Sequence, residues 1–351
     1  MKTISIQDLK EGMILAQDII GKYDLVFLTR GTRIIDEHIE RIQNMDFMYV
    51  YIMDQDEIKE KVETHQLNRK VDEKLNEQYN KSLRSFKRIY DEVSLGKKIE
   101  AEIVQQSVSP LIEEVMTDNN ILARLRSMKI VDDYTYKHSV NVCILSTMIG
   151  KWMKYSENDL NELAISAMLH DIGKSKIPKD ILNKPARLSK DECRIMKGHA
   201  TLGYEMLQKQ RKISFDICCG VLQHHERLDG SGYPLGLKGG KIHRFARIIA
   251  VADIFDAMTS ERVYKPKESP FKVAELIAQN RFGVLDPMIS NQFLWNISKF
   301  YVGNIVKLNT GDIGEIVLIN KQMPTRPLVK INNEFIDLNE QAEYTIMEVI
   351  I

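Results

Sequence analysis

The chain has 351 residues, of which 44% are hydrophobic and 28% are charged. This is the composition of a globular protein and excludes a disordered or fibrous one. Lys plus Arg and Asp plus Glu each number 49, and this balance argues against a broad basic surface for duplex nucleic acid or an anionic membrane. Any phosphate must therefore be bound by a local group of cations.

The length predicts two or three domains, at about 100–200 residues each. No apolar run approaches the ~18–20 residues that span a bilayer, and Asp8 and Glu11 interrupt the stretch that a signal peptide would need to be apolar. We therefore expect a cytoplasmic protein without membrane contact. The four cysteines have no CxxC spacing, so neither a zinc ribbon nor a disulfide framework is indicated.

The first hundred residues divide into two segments of different character. Residues 1–53 mix short strand-like runs with one helical pattern at 36–45, which predicts a small α+β module. Residues 54–102 are highly charged, and their apolar side chains recur at intervals of three or four residues, at Leu67, Val71, Leu75, Tyr79, Leu83, Phe86 and Tyr90. This spacing predicts one long helix, either a connector that packs on its neighbours or the dimerising helix of a homodimer.

The rest of the chain is predicted to be helical and then β-structured. Residues 103–300 are helical in pattern almost throughout, and S-x-x-D/E capping boxes at Ser156 and Ser189 each mark the start of a helix. After residue 300 five short runs alternate apolar and polar side chains, which predicts a small β module over 301–351. The fold class is therefore mainly α, with a helical bundle domain between two small modules.

Five of the eight histidines lie between residues 138 and 225, each on or at the end of a predicted helix. A single histidine on an apolar helix is usually a core residue with a hydrogen-bond partner. The adjacent pairs His170-Asp171 and His224-His225 favour a different interpretation, because two buried polar groups side by side are costly unless something satisfies them. Imidazole and carboxylate ligands without thiolates suit Fe, Mn or Zn. A carboxylate such as Asp171 can bridge two such ions about 3.5–4 Å apart.

Three motifs together resemble one known family. "HDIGK" at 170–174 resembles the signature of the HD superfamily of metal-dependent phosphohydrolases. "HHERLDGSGYPLGLKG" at 224–239 and "VADIFDAMTSERVYK" at 251–265 resemble segments of its HD-GYP subgroup. The resemblance extends over residues 132–287 and implies the helical bundle fold of the superfamily. Members of the subgroup are bacterial phosphodiesterases that open c-di-GMP to pGpG, and some continue to GMP.

The resemblance implies a centre of two divalent metal ions, Fe or Mn, with Zn, Ni or Co as alternatives. The implied ligands are His138, His170, Asp171, His199, His224, His225 and Asp253. Some members hold a third metal with a glutamate one helical turn before the first histidine. This chain has Tyr134 at that position, which favours the two-metal form.

The resemblance also implies substrate contacts. We expect Asp171 and Lys174 to be catalytic, because Lys174 follows Gly173, interpreted as a helix C-cap, and can reach back towards a phosphoryl oxygen. Arg262 and Lys265 match family positions that bind the substrate phosphates. Tyr233 either stacks on a guanine, covers the cavity or packs its glycine-rich loop, and this loop is also the implied contact for a diguanylate cyclase. We interpret Lys176 as a solvated loop lysine.

The expected reaction is attack by a metal-bridging hydroxide on one phosphodiester of c-di-GMP, in the pathway of bacterial second-messenger signalling. Two alternatives remain open at this point. The same centre would hydrolyse another cyclic dinucleotide such as cGAMP, because phosphates and metals are common to all such substrates. A protein of another class, a non-catalytic c-di-GMP sensor or docking platform, would be expected if ligands were lost, and every ligand position is filled.

Overall fold

The computed structural model describes residues 2–17, 19–20, 26–28, 32, 34–43, 49–52, 55–117, 134–210, 212–260, 268–331 and 334–350. The chain forms two compact units, Met1–Lys74 and Leu75–Ile351. Within the described part of the chain, no helix is long and apolar enough to cross a membrane.

The first unit contains two small antiparallel strand pairs and a short helix. Strand β1 (Lys2–Ser5) pairs with β4 (Tyr49–Ile52), and β2 (Ile19–Ile20) pairs with β3 (Val26–Leu28). Helix α1 covers Asp36–Gln43. The first unit has a small apolar core, in which Leu15, Ile34 and Ile42 are fully buried. The α+β character predicted for residues 1–53 is confirmed.

Helix α2 (Gln55–Ser94) is the long helix that the charged segment predicted. From residue 75 onward its apolar side chains form one buried stripe, which consists of Leu75, Tyr79, Leu83, Phe86, Ile89, Tyr90 and Val93. This stripe belongs to the main hydrophobic core of the second unit. The second half of α2 therefore packs on the helical domain, as a connector would, instead of presenting its apolar stripe to solvent.

Among its described residues, the second unit contains ten further α-helices. They are α3 (Ala101–Thr117), α4 (Tyr134–Trp152), α5 (Glu157–Leu169), α6 (Lys179–Leu182), α7 (Lys190–Lys197), α8 (His199–Leu207), α9 (Phe215–Gln223), α10 (Arg244–Thr259), α11 (Pro270–Ala278) and α12 (Pro287–Lys299). The two predicted starts are correct: Ser156 Oγ accepts from Asp159 N at 3.2 Å, and Ser189 forms the full capping box with Glu192.

Helices α5 and α9 pack closely because one of them carries a glycine at the contact. A Cβ at Gly220 would lie 2.0 Å from Ser166 Oγ, so any larger residue there would displace the Ser166 side chain. Ser166 Oγ donates to Ile217 O at 2.9 Å across the same contact. This packing brings His170, at the end of α5, close to His224, at the end of α9: their ring centroids are 5.0 Å apart.

The C-terminal residues form a five-stranded antiparallel sheet with the order β8-β7-β6-β5-β9. Its strands are β5 (Ile305–Leu308), β6 (Ile313–Leu318), β7 (Leu328–Ile331), β8 (Glu334–Asp337) and β9 (Ile346–Val349). The side chains on one face of the sheet, among them Val306, Ile316 and Val329, are fully buried in the main core. The small β module predicted from the alternating pattern is confirmed.

Candidate metal centre

Three histidines at helix ends have their tautomer fixed by a backbone carbonyl. Nδ1 of His170, His199 and His224 lies 2.7 Å from the carbonyl oxygen three residues earlier, that of Ala167, Met196 and Val221 respectively. These carbonyls belong to the last turns of α5, α7 and α9. A carbonyl oxygen only accepts, so each Nδ1 carries the proton and each Nε2 presents a lone pair.

The Nε2 lone pairs converge on Asp171. His170 Nε2 lies 3.3 Å from Asp171 Oδ2, and His199 Nε2 lies 3.2 Å from Asp171 Oδ1. His199 Nε2 and His224 Nε2 are 3.4 Å apart although both are acceptors in this tautomer. Such a pair of facing lone pairs repels unless a cation lies between the rings.

Asp171 is shared by two groups of candidate ligands. His199, His224 and His225 form one group with Asp171, and His138 and His170 form the other; within each group the ligand atoms lie within 4.8 Å of one another. The two oxygens of the Asp171 carboxylate face different groups: Oδ1 faces His199 and His224, and Oδ2 faces His138 and His170. This division would let one carboxylate serve both groups of ligands.

Asp253, on α10, lies beside a histidine of each group. Its Oδ1 is 3.1 Å from His138 Nε2, and its Oδ2 is 3.9 Å from His225 Nδ1. All seven residues that the motifs singled out as ligands are therefore brought together.

Asp256 is a member of the site that the sequence did not reveal. Its Oδ2 lies 2.7 Å from His138 Nδ1, so this carboxylate orients the ring whose Nε2 faces Asp253 and Asp171. A signal was present, because Asp253 and Asp256 are three residues apart on one helix and therefore share a face. The contact joins residues 118 positions apart, and no local pattern specifies it.

The protonation states of the centre suit metal binding. Burial lowers the pKa of His225 to about 3, and burial and then the neighbouring His225 hold the pKa of His224 well below its usual range. Burial raises the pKa of Asp171, but the positive charge of Lys174 and contacts with the histidines lower it well below its ordinary value. Burial lowers the pKa of His138, but hydrogen bonds to Asp253 and Asp256 raise it to about 9, so this imidazole would release a proton when a metal binds. The neutral imidazoles of His224 and His225 beside the ionised Asp171 are already in the forms that bind a metal.

Two buried atoms of the centre fit a metal ion directly. His170 Nε2 and Asp171 Oδ1 are buried and have no hydrogen-bond partner among the described residues. Both point into the group of converging ligands. Unsatisfied buried polar atoms are uncommon, and a coordinated cation would satisfy both of them. The donor set, with its lone pairs, buried carboxylates and shared Asp171, therefore fits divalent metal ions.

Gly173 brings the Asp171 turn against helix α8, which begins at His199. A Cβ at Gly173 would lie 2.0 Å from His199 O and 2.6 Å from Gly203 N. The prediction that Gly173 is a helix C-cap is wrong, because α5 ends at Leu169 and Gly173 lies in the 3-10 turn Ile172–Lys176. Glycine is required there for close approach between two backbones.

The two lysines of the turn have different partners. Lys174 Nζ lies 2.5 Å from Asp171 Oδ2, at the metal centre. Lys176 Nζ donates to Val93 O at 2.8 Å and to Ser94 O at 3.3 Å. Lys176 is exposed, as expected of a solvated loop lysine, and its amine also donates to carbonyls at the C-terminal end of α2, a contact that the sequence did not predict.

The loop after His225 covers one side of the centre. The Tyr233 ring stacks on His225, with centroids 4.6 Å apart and planes at 28°, and Lys197 Nζ lies 5.0 Å from the Tyr233 centroid. Glu226 holds the loop, because its carboxylate accepts from Leu235 N at 2.7 Å and from Leu237 N at 3.0 Å. Tyr233 thus both packs its loop and covers a candidate ligand.

Three positions named in the sequence analysis cannot be placed in this site. Arg262 and Lys265 lie outside the residues that the structure describes, as does the side chain of Tyr134. The phosphate contacts expected of Arg262 and Lys265 stay predictions.

Comparison with known families agrees with the motifs. Residues 118–289 match the HD domain family, and residues 305–351 match the KOW domain associated with HD domain. The first match contains all seven candidate ligands. The second coincides with the five-stranded sheet, which begins at Ile305.

Two curated relatives have sequences similar to this chain. A cyclic di-GMP phosphodiesterase of Pseudomonas aeruginosa is 32% identical over 243 residues, which are 69% of this chain and 58% of that protein. A 3′3′-cGAMP-specific phosphodiesterase of Vibrio cholerae is 32% identical over 200 residues, which are 57% of this chain and 46% of that protein. The chain thus spans about half the length of these relatives.

One solved structure has a similar fold. Bd1817, an HDG"Y"P protein from Bdellovibrio bacteriovorus, aligns with a TM-score of 0.53 over 83% of this chain and 97% of that one. The sequence identity is 16%, so this likeness concerns the fold alone.

Proposed function

The chain carries an HD domain of the HD-GYP subgroup, and on this premise we propose that it is a metal-dependent phosphodiesterase that hydrolyses c-di-GMP to pGpG, with further cleavage to GMP left open. The observation that carries the proposal is the division of Asp171 between two groups of histidines. This geometry supports a centre of two divalent ions, for which we propose Fe or Mn, with Zn, Ni or Co as alternatives.

We propose that the seven converging residues hold the two ions. His199, His224 and His225 would bind one ion, and His138 and His170 the other, with Asp171 shared and Asp253 beside both groups. When bound, divalent ions supply an activated water and neutralise charge on the phosphoryl oxygens. The chain contributes fixed imidazole tautomers, so its Nε2 lone pairs need no rearrangement before binding.

The partly exposed side of the centre is where a phosphodiester would approach. The side chains of His170 and His224 are 0% exposed, whereas those of Lys174 and His225 are 26% and 19% exposed. Lys174 therefore stands at the solvent side with an amine next to Asp171. We propose that this amine binds a non-bridging phosphoryl oxygen and stabilises the charge that develops there.

We propose that Tyr233, stacked on His225, contacts a guanine or excludes water from the same side. Arg262 and Lys265 are proposed to bind the substrate phosphates on the strength of the motif resemblance.

The test is metal analysis and c-di-GMP turnover by the full chain, purified without oxygen and assayed with Fe(II), Mn(II) and Zn(II). Asp171→Asn removes the negative charge of the shared carboxylate and one of its two oxygens, so metal content and turnover should both fall to background. Asp180→Asn is the matched control, because Asp180 is exposed on the neighbouring helix α6 and outside the ligand groups. Full turnover by an Asp171→Asn protein with wild-type metal content would refute the mechanism.

A second candidate substrate is 3′3′-cGAMP, favoured by the likeness to the Vibrio cholerae enzyme. The metal centre and Lys174 recognise phosphates and do not distinguish the bases. Turnover of c-di-GMP and 3′3′-cGAMP under the same conditions, followed by chromatography, decides between them. A protein that binds either nucleotide and cleaves neither would instead be a sensor or docking platform.

We further propose that residues 103–300 form the catalytic domain, with 1–53, 54–102 and 301–351 as an α+β module, a connector helix and a β module. We propose a cytoplasmic protein that forms a homodimer and contacts a diguanylate cyclase through the loop at Tyr233. Leu235 supports the last proposal, because this apolar side chain is 58% exposed on that loop.

A further inference from the structure

A largely buried line of hydrogen bonds runs from helix α2 to the candidate ligand His138. The Tyr79 hydroxyl donates to Asn141 Oδ1 at 2.8 Å, and Asn141 Nδ2 donates to Asp256 Oδ1 at 2.8 Å. The other oxygen of Asp256, Oδ2, accepts from His138 Nδ1 at 2.7 Å. The line therefore joins a residue that no motif includes to an imidazole of the metal centre.

The direction of each hydrogen bond follows from the phenol at the start of the line. Burial, and then the negative charge of Asp256, raise the pKa of Tyr79, so the phenol keeps its proton and donates. Asn141 then accepts with its oxygen and donates with its amide nitrogen, and the carboxylate of Asp256 accepts on both sides. His138 Nδ1 consequently carries a proton, and its Nε2 faces Asp253 at 3.1 Å.

Helix α2 contacts the elements of the metal centre at further points. The rings of Phe86 and Tyr90 on α2 pack edge-on against Tyr136 of α4, with centroids 6.4 and 5.4 Å apart. Lys176, in the turn that follows Asp171, donates to carbonyls at the C-terminal end of α2. The helix thus packs against α4, which carries His138, and against the turn of the shared carboxylate.

From this arrangement we propose that Tyr79 and Asn141 are positioning residues of the metal centre. They hold Asp256 in the orientation that fixes the tautomer and the ring plane of His138, and so raise the affinity of the His138 and His170 side for its ion. The proposal rests on the metal centre of the proposed function and is independent of which nucleotide is cleaved. In the purely structural alternative, these bonds only satisfy buried polar groups, and their loss would cost stability without changing metal affinity.

The test measures binding of Mn²⁺ alone to the chelator-treated full chain, from the electron paramagnetic resonance signal of the free ion. Tyr79→Phe deletes one oxygen and keeps the ring, which is 1% exposed. We expect one of two Mn²⁺ sites to bind about two- to tenfold more weakly, the factor that one neutral hydrogen bond is worth. Tyr136→Phe is the matched control. It also removes a hydroxyl between α4 and α2, which is bonded to Asp91 at 3.2 Å, but this hydroxyl is not part of the line from Tyr79 to His138. This variant should leave Mn²⁺ affinity unchanged.

A double-mutant cycle separates the positioning role from a general loss of stability. Asn141→Leu breaks the line at its next member at similar volume, so Tyr79→Phe should cause no further loss of Mn²⁺ affinity in that background. Thermal unfolding verifies that each variant is folded at the titration temperature. Equal Mn²⁺ affinity of Tyr79→Phe and wild type, or an equal loss in both backgrounds, would overturn the proposal.

The outcomes for this proposal and for the proposed function are distinct. A wild-type chain that binds Mn²⁺ but leaves c-di-GMP intact would refute the proposed function, and the cycle would still decide the role of Tyr79. A wild-type chain that binds neither Mn²⁺ nor Zn²⁺ would refute both.

Discussion

Replacing Gly173 by alanine should destabilise the protein at the metal centre itself. The added Cβ would lie 2.0 Å from His199 O, and ordinary contact begins at 3.4 Å, so the two backbones must separate by 3.4 − 2.0 = 1.4 Å. Gly203 N lies 2.6 Å from the same Cβ. Both neighbours are backbone atoms, and no side-chain rotation relieves the clash. Overpacking of this kind costs about 1–3 kcal/mol, and we expect about 3 kcal/mol here.

The measurement is urea-induced unfolding of Gly173→Ala beside a matched control. Gly240→Ala suits as the control, because no described heavy atom lies within 4 Å of its added Cβ and its φ is not positive. We expect the control to stay within about 0.5 kcal/mol of wild type. The melting temperature of Gly173→Ala should fall by roughly 6–12 °C, at about 2–4 °C per kcal/mol for a domain of this size class. A Gly173→Ala protein as stable as the control would refute the close-approach argument.

The two lysines of the Asp171 turn give two further predictions. Lys174→Gln removes the cation beside the shared carboxylate, so turnover should fall by about 10²–10³-fold. Metal content, measured by mass spectrometry, should stay near that of the wild type. Turnover within twofold of wild type would contradict the role given to Lys174. Lys176→Gln removes a positive charge from the carbonyls of Val93 and Ser94 at the end of α2, so the free energy of unfolding should fall by about 0.3–1 kcal/mol in urea titrations at low salt. Addition of salt should shrink that difference, and an increase in stability would contradict the capping interaction.

The elements of the fold were predictable because their signals are local. Ser189 and Glu192 are three residues apart, and the capping box they form depends on nothing beyond that turn. The buried stripe of α2 repeats at helical spacing, so its periodicity alone predicted a long helix with one packed face. The strands of the C-terminal sheet alternate with period two and were predicted for the same reason.

The candidate ligands could be named from the sequence because they match positions of a known family, and their helical pattern placed each of them on or at the end of a helix. Part of their chemistry is local as well: His170, His199 and His224 each bond the carbonyl three residues earlier, in the last turn of a helix. What the sequence did not determine is which oxygen of Asp171 faces which histidines. That division depends on helices packed from distant parts of the chain.

The sequence by itself thus determined the helices, the sheet and the identity of the candidate ligands. Tertiary structure decided that Gly173 faces a backbone instead of capping a helix, and that Lys176 bonds a helix end 83 residues away. It also decided that Asp256 orients His138 across 118 residues and that Tyr79 reaches the centre through Asn141. The physical reason is common to all four. A period or a motif reports which face of an element is buried, whereas the partner of a buried polar group depends on which other element is packed against it.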